Sequence, residues 1–214
     1  YRWDVLKRRG YDWWIERLRG SLARFDAVRL DHFIGFHRYW EIPAESETAR
    51  EGRWLPGPGA EFFEAVKRRL KRLPLIAEDL GSLTPEIKDL RERFGLPGMR
   101  VLLFAFGSPG SRNDHRPEFH EANGVIYTGT HDNNTALGWF NETAAPGETR
   151  GAEEILRERT FALQYLMSDG REFHWDLIRL AHASRSAIAI VPLQDVLGLG
   201  AEARMNVPGT VEGN

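Results

Sequence analysis

Residues 73–94 read LPLIAEDLGSLTPEIKDLRERF, and the apolar run MRVLLFAF follows at 99–106. Leu73 to Ala77 is a short, continuous apolar run of the kind that forms a strand buried on both faces. Thr84-Pro85-Glu86 then carries the marks of a helix start: Thr at the N-cap, Pro at the first helical position and an acid in the first turn. That helix is predicted to run to about Phe94 and stop before Gly95, and Met99 to Phe106 is predicted to be the next strand. Strand, helix and strand in this order make a parallel β/α unit covered by helices.

The same alternation extends in both directions. Upstream, residues 11–23 (YDWWIERLRGSLA) and 60–72 (AEFFEAVKRRLKR) have helical apolar spacing, with a short strand at 27–30 between them. Downstream, strands are predicted at 124–128 (GVIYT) and 187–192 (AIAIVP), with helices near 150–167 and 171–184 between them. Five such strands fit an α/β fold, either an open sheet or part of a (β/α)8 barrel, since a complete barrel typically needs about 250 residues. Residues 32–58 are read as a long, aromatic-rich connection of the kind that acts as a lid.

Composition narrows the function. The chain has 214 residues, a formal net charge of −2 and no cysteine. Its balanced charge gives no field for nucleic acid or an anionic membrane, so neither is expected as a partner. The lack of cysteine excludes a disulfide framework, Cys-ligated zinc and thiol catalysis, and fits a reducing, cytoplasmic setting. The chain opens on Tyr1 and closes on Val211–Asn214 without tail-like composition, so it is expected to be an excerpt of a longer protein.

Four of the five strands end in carboxylates: Asp31, Glu78-Asp79, Asp132 and Asp195. In parallel α/β folds the C-terminal strand ends face the active site, so groups far apart in sequence can converge there. An Asp after a strand also serves as a cap or turn former. Arg29 and Asp31, two apart on a strand, share a face, and the guanidinium favours an ionised Asp31, which suits a nucleophile and equally a structural ion pair. Glu78 ends an apolar strand, where partial burial raises a carboxyl pKa and suits a general acid. Asp79 points the other way and reads as structural. One raised and one lowered carboxyl is the division of labour used in glycoside cleavage. His131 and Asp132 read either as a third catalytic pair, able to donate to and accept from sugar hydroxyls, or as a capped turn leading into Asn134–Leu137.

The segments YDWWIERLR (11–19), RLDHFIGF (29–36), YWEIPA (39–44), AREGRW (49–54), AEDLG (77–81), LPGMRVLLFAF (96–106), GTHDNNT (129–135) and PLQDVLGLGAEARMNVPGT (192–210) together resemble one family. These are the 4-alpha-glucanotransferases known as amylomaltases or disproportionating enzymes, glycoside hydrolase family 77. The resemblance implies a partial TIM barrel of the alpha-amylase type, strands four to eight, with residues 1–214 as the C-terminal part of the catalytic barrel. It implies Asp31 as nucleophile, Glu78 as acid/base and Asp132 as the transition-state-stabilising third carboxylate. Arg29, His131, His32, Trp40 and Asn133 are the expected substrate-binding residues.

The implied substrates are maltooligosaccharides and starch- or glycogen-derived alpha-1,4-glucans, used without metal or organic cofactor. A retaining alpha-glucan hydrolase on the same carboxylates is the alternative the residues leave open. A divalent-metal hydrolase built on Asp31, His32, His131 and Asp132 and a non-catalytic carbohydrate-binding module are the more distant ones. With three barrel strands absent, the 214-residue chain alone is expected to fold poorly and be inactive.

Overall fold

The computed structural model of the chain describes residues 1–81, 83–107, 110–144 and 151–210. It divides into two compact units, Tyr1–Met99 and Arg100–Asn214. Among the described residues no helix is long and apolar enough to cross a membrane.

In the first unit, helices α1 (Trp3–Arg8) and α2 (Asp12–Leu22) precede strand β1 (Val28–Leu30). A short helix α3 (Ile34–His37) leads into strands β2 (Arg38–Glu41) and β3 (Arg53–Pro56), followed by α4 (Gly59–Leu70), β4 (Leu75–Ala77) and α5 (Pro85–Arg93). Strand β1 runs parallel to β4 with Arg29 opposite Ile76 and Leu30 opposite Ala77. β5 (Gly98–Val101) joins β4 through Ala77 and Gly98. Ile15 and Leu18 of α2 and Phe62, Phe63 and Val66 of α4 lie one helical turn or less apart and are fully buried. Their stripe packs with Leu75 and Ala77 of β4 in one apolar core. Aromatic rings dominate it: Phe36 and Phe62 sit 4.9 Å apart, and Trp14 meets both.

Two details depart from the sequence reading. Thr84 stands at the N-cap of α5 and Pro85 follows, yet the Thr84 side chain makes no capping bond; its carbonyl instead accepts from Ile87 and Lys88. The 32–58 segment is an ordered hairpin rather than an irregular connection. β2 and β3 pair antiparallel with Trp40 directly opposite Trp54, and Glu41 opposite Arg53. The cross-strand indoles meet edge to face at 5.4 Å, and Arg53 bonds Glu41 at 2.7 Å.

In the second unit the strand expected over 99–106 ends at Val101. Its N–H there donates to Nδ1 of His115 at 3.1 Å, and Leu102–Phe104 coil into a 3₁₀ turn. Strand β6 (Gly124–Tyr127) is buried throughout. It lies parallel to β7 (Ile188–Ile190), with Val125 opposite Ile188. Helices α6 (Ala136–Phe140), α7 (Ala152–Leu166) and α8 (Phe173–Ala183) connect them, and α9 (Leu193–Val196) follows. Arg150, where the first of the long helices was expected to begin, lies outside the described residues, as do Val211–Asn214. Phe173 is the hub of this core, stacked on Phe140 at 4.5 Å and on Trp139 at 5.5 Å. Apart from the β2–β3 hairpin, the paired strands within each unit run parallel, as an α/β chain requires.

Candidate active site

In the first unit the site grows from the β1–β4 ladder. The ladder continues by two bonds past the strands: the N–H of Glu78 donates to Leu30 O at 3.0 Å, and that of Phe33 to Glu78 O at 3.0 Å. This ties the residues after β1 to those after β4. The N–H of His32 donates to Glu78 Oε2 at 2.6 Å and that of Leu80 to Oε1 at 3.1 Å, so both carboxyl oxygens are held by backbone. His32 adopts φ +49°, a left-handed turn uncommon for a non-glycine residue.

Burial pushes the Glu78 carboxyl above its ordinary range. The two N–H bonds oppose that rise, the nearby Asp31 charge adds to it and Arg29 subtracts from it. The upward direction expected for Glu78 from its place at the end of an apolar strand is thus present. Arg29 Nη2 meets Asp31 Oδ1 at 2.5 Å, so the pair expected from their spacing is made. The Asp31 side chain is 76% exposed, and solvent screens the ion pair. Arg29, Asp31 and His32 line a cavity of about 510 Å³ together with the aromatic side chains of Trp14, Phe36 and Tyr39. Asp79 is structural, as expected: it is buried, accepts from Met99 N–H at 2.7 Å and pairs with the buried Arg91.

Trp40 lies on the hairpin, half exposed, with Nε1 donating to Ala49 O at 2.8 Å. Trp54 is more open, and the Arg38 guanidinium lies 4.8 Å from its ring centre.

In the second unit the loop after β6 carries His131, Asp132 and Asn133. Asn133 Oδ1 accepts from both the N–H and the hydroxyl of Thr130, each at 2.8 Å. Asn133 thus braces the loop as well as lining, with Asp132, a cavity of about 380 Å³. His131 Nε2 lies 3.4 Å from Asp132 Oδ2. Two residues given no role from sequence hold Asp132: Arg204 donates to its carbonyl at 2.7 Å, and Asn206 Nδ2 to its Oδ1. The only sign of them was their presence in the last motif segment.

Asp195 corrects the expectation of a carboxylate in the site at that strand end. It is buried, accepting from Thr128 Oγ1 at 2.6 Å and from Ala136 N–H at 2.7 Å. It staples the end of β6 to the start of α6. Among the described residues no three His, Asp or Glu side chains gather as a metal ion would need.

An α/β chain with an ion-paired Asp and a half-buried Glu of raised pKa at adjacent strand ends presents two carboxyl groups in unlike environments, the division that glycosidic-bond chemistry uses. The chain belongs to the 4-alpha-glucanotransferase family, glycoside hydrolase 77, whose profile matches residues 1–214. It is 48% identical to the 4-alpha-glucanotransferase of Thermus thermophilus, covering 100% of this chain and 42% of that one. It is 46% identical to that of Synechocystis, covering 100% and 41%. The solved amylomaltase of Streptococcus agalactiae in complex with acarbose matches with a TM-score of 0.90 at 35% identity, over 100% of this chain and 41% of that one. The fold is accordingly the partial (β/α)8 barrel expected. The chain spans about two-fifths of the length of the relatives it matches.

Proposed function

We propose that the complete protein carrying this chain is a 4-alpha-glucanotransferase. It moves an alpha-1,4-glucan segment from a donor to the 4-hydroxyl of an acceptor glucan or glucose, with retention. The observation that carries this reading is Glu78: half buried, held by two N–H groups, raised in pKa and tied to His32, the residue after Asp31.

Glu78 gives its proton to the glycosidic oxygen as Asp31 attacks the anomeric carbon. The C–O bond breaks, the reducing-side segment leaves with a new 4-hydroxyl, and the donor segment is esterified to Asp31. Glu78, now a carboxylate, takes the proton from the acceptor 4-hydroxyl as that oxygen attacks the same carbon and Asp31 departs. Protons and bonds balance over the cycle with no redox step. Asp132 grips ring hydroxyls more tightly in the oxocarbenium-like state than in the ground state. Arg29, His131, His32, Trp40 and Asn133 bind the sugars around the cleavage point.

Substrates in this reading are maltooligosaccharides and starch- or glycogen-derived alpha-glucans, handled in the cytoplasm. The names of the relatives support transfer over hydrolysis, and the acarbose held by the Streptococcus agalactiae enzyme supports the substrate class. Incubating the complete protein with maltotriose tests it. Glucose together with maltotetraose and longer chains is expected; glucose and maltose alone would assign water as the acceptor.

A further inference from the structure

One side chain outside the reaction scheme ties together the groups around Asp132. Arg204 follows a 3₁₀ turn at Ala201–Ala203 and leaves it in extended conformation. Its Nη2 donates to the carbonyl of Asp132 at 2.7 Å and its Nε to the carbonyl of Asn206 at 2.9 Å. Asn206 in turn donates from Nδ2 to Asp132 Oδ1. One planar guanidinium thus sets the peptide that carries Asp132 and the peptide that carries the amide holding its carboxylate. The loop's own hold on Asp132 is weaker: its N–H reaches Thr130 Oγ1 at 3.3 Å, and Thr130 is braced by Asn133.

We propose that Arg204 is a positioning residue that fixes the orientation of the Asp132 carboxylate. This rests on the reading of Asp132 as the third carboxylate. The rigid two-donor fork is what the geometry uses. A lysine can reach one carbonyl, but its single nitrogen cannot span two with fixed angles. A carboxylate that must strengthen its contacts in the transition state depends on such preorganisation, and displacements on the scale of 1 Å cost ~10²-fold in rate.

The test uses the complete protein with an alpha-maltosyl fluoride donor, whose activated leaving group keeps slow variants measurable. Arg204→Met is expected to lower kcat by ~10²-fold with KM nearly unchanged, and Arg204→Lys to fall between it and the unaltered protein. In an Asp132→Asn background, Arg204→Met is expected to cost nothing further, because the group it positions is already lost. An equal fold loss in both backgrounds, or a rise in KM alone, would overturn the proposal and make Arg204 a direct substrate contact or a general stabiliser. Asp132→Asn with undiminished kcat would instead sink the third-carboxylate reading, and the positioning role with it. Should Arg204→Met fail to fold, Arg204→Lys in both backgrounds makes the same comparison.

Discussion

The backbone N–H of His32 donates to Glu78 Oε2 at 2.6 Å, immediately after Asp31 in the chain. Placement of the proposed acid/base is therefore tied to the turn that follows the proposed nucleophile. A change in the β1 turn moves both groups, and a shift of β4 does the same.

The raised carboxyl of Glu78 has a stability signature as well as a kinetic one. A folded-state pKa above the unfolded one binds the proton more tightly in the fold. Its contribution is fully present below the ordinary glutamate range and is lost as pH rises through the raised value. Glu78→Gln is expected to abolish turnover of unactivated glucans. Its stability relative to the unaltered protein should also improve as pH rises through that window. Urea melts at a series of pH values measure this, and a constant offset between the two proteins would count against the burial argument.

Asp31→Asn separates chemistry from folding. The side chain is largely exposed, so its loss is expected to change stability by no more than about 0.5 kcal/mol while removing turnover. Matched melting curves beside dead kinetics are the expected result.

His115 provides an acid limb unrelated to catalysis. Burial, with Arg100 and His120 nearby, pushes its imidazole down to about 4, and Nδ1 accepts the N–H of Val101. A histidine depressed in the fold contributes stability above its ordinary pKa, and that stability is lost as pH falls towards about 4. His115→Asn, which keeps an acceptor near Val101 but cannot titrate, is expected to flatten the fall in stability between about pH 6.5 and 4.

Gly98 has no room for a side chain. A Cβ there would stand 2.5 Å from Asp79 Oδ2 and 2.6 Å from Arg91 Nη1, forcing apart a buried ion pair. Gly98→Ala is expected to cost about 3 kcal/mol of stability, the scale of overpacking plus a damaged buried pair. Chemical denaturation reads it directly. A loss under about 0.5 kcal/mol would show that the pair can yield.

Asp195→Ala should be a folding defect. It strands the Thr128 hydroxyl and the Ala136 N–H in a buried setting, for a loss of about 2–4 kcal/mol. Undiminished stability with lost turnover would contradict the staple role and give Asp195 a part in the chemistry.

The strands at 28–30 and 75–77 were legible because apolar runs between turn residues have few other interpretations. The Arg29–Asp31 pairing followed from the two-residue period of a strand, and the raised Glu78 from its place at the end of an apolar one. The hairpin was not legible, because RYWE and RWLP lack a clean alternation and their pairing depends on Trp40 meeting Trp54 across the turn. Val101 ends β5 because a histidine fourteen residues later takes its N–H, which no local pattern records. Asp195 and Asp132 look alike in sequence; only burial separates the staple from the half-exposed carboxylate. Arg204 reaches Asp132 across 72 residues, a distance at which sequence spacing carries no geometry.

The most direct test of the account is to trap the intermediate. A 5-fluoro-alpha-glycosyl fluoride, incubated with the complete protein and followed by proteolysis and mass spectrometry of the peptides, should leave a glycosyl ester on the peptide containing Asp31 and on no other. Labelling of a different carboxylate, or a product of inverted anomeric configuration with no adduct, would contradict the assignment of Asp31 as nucleophile and the double displacement with it.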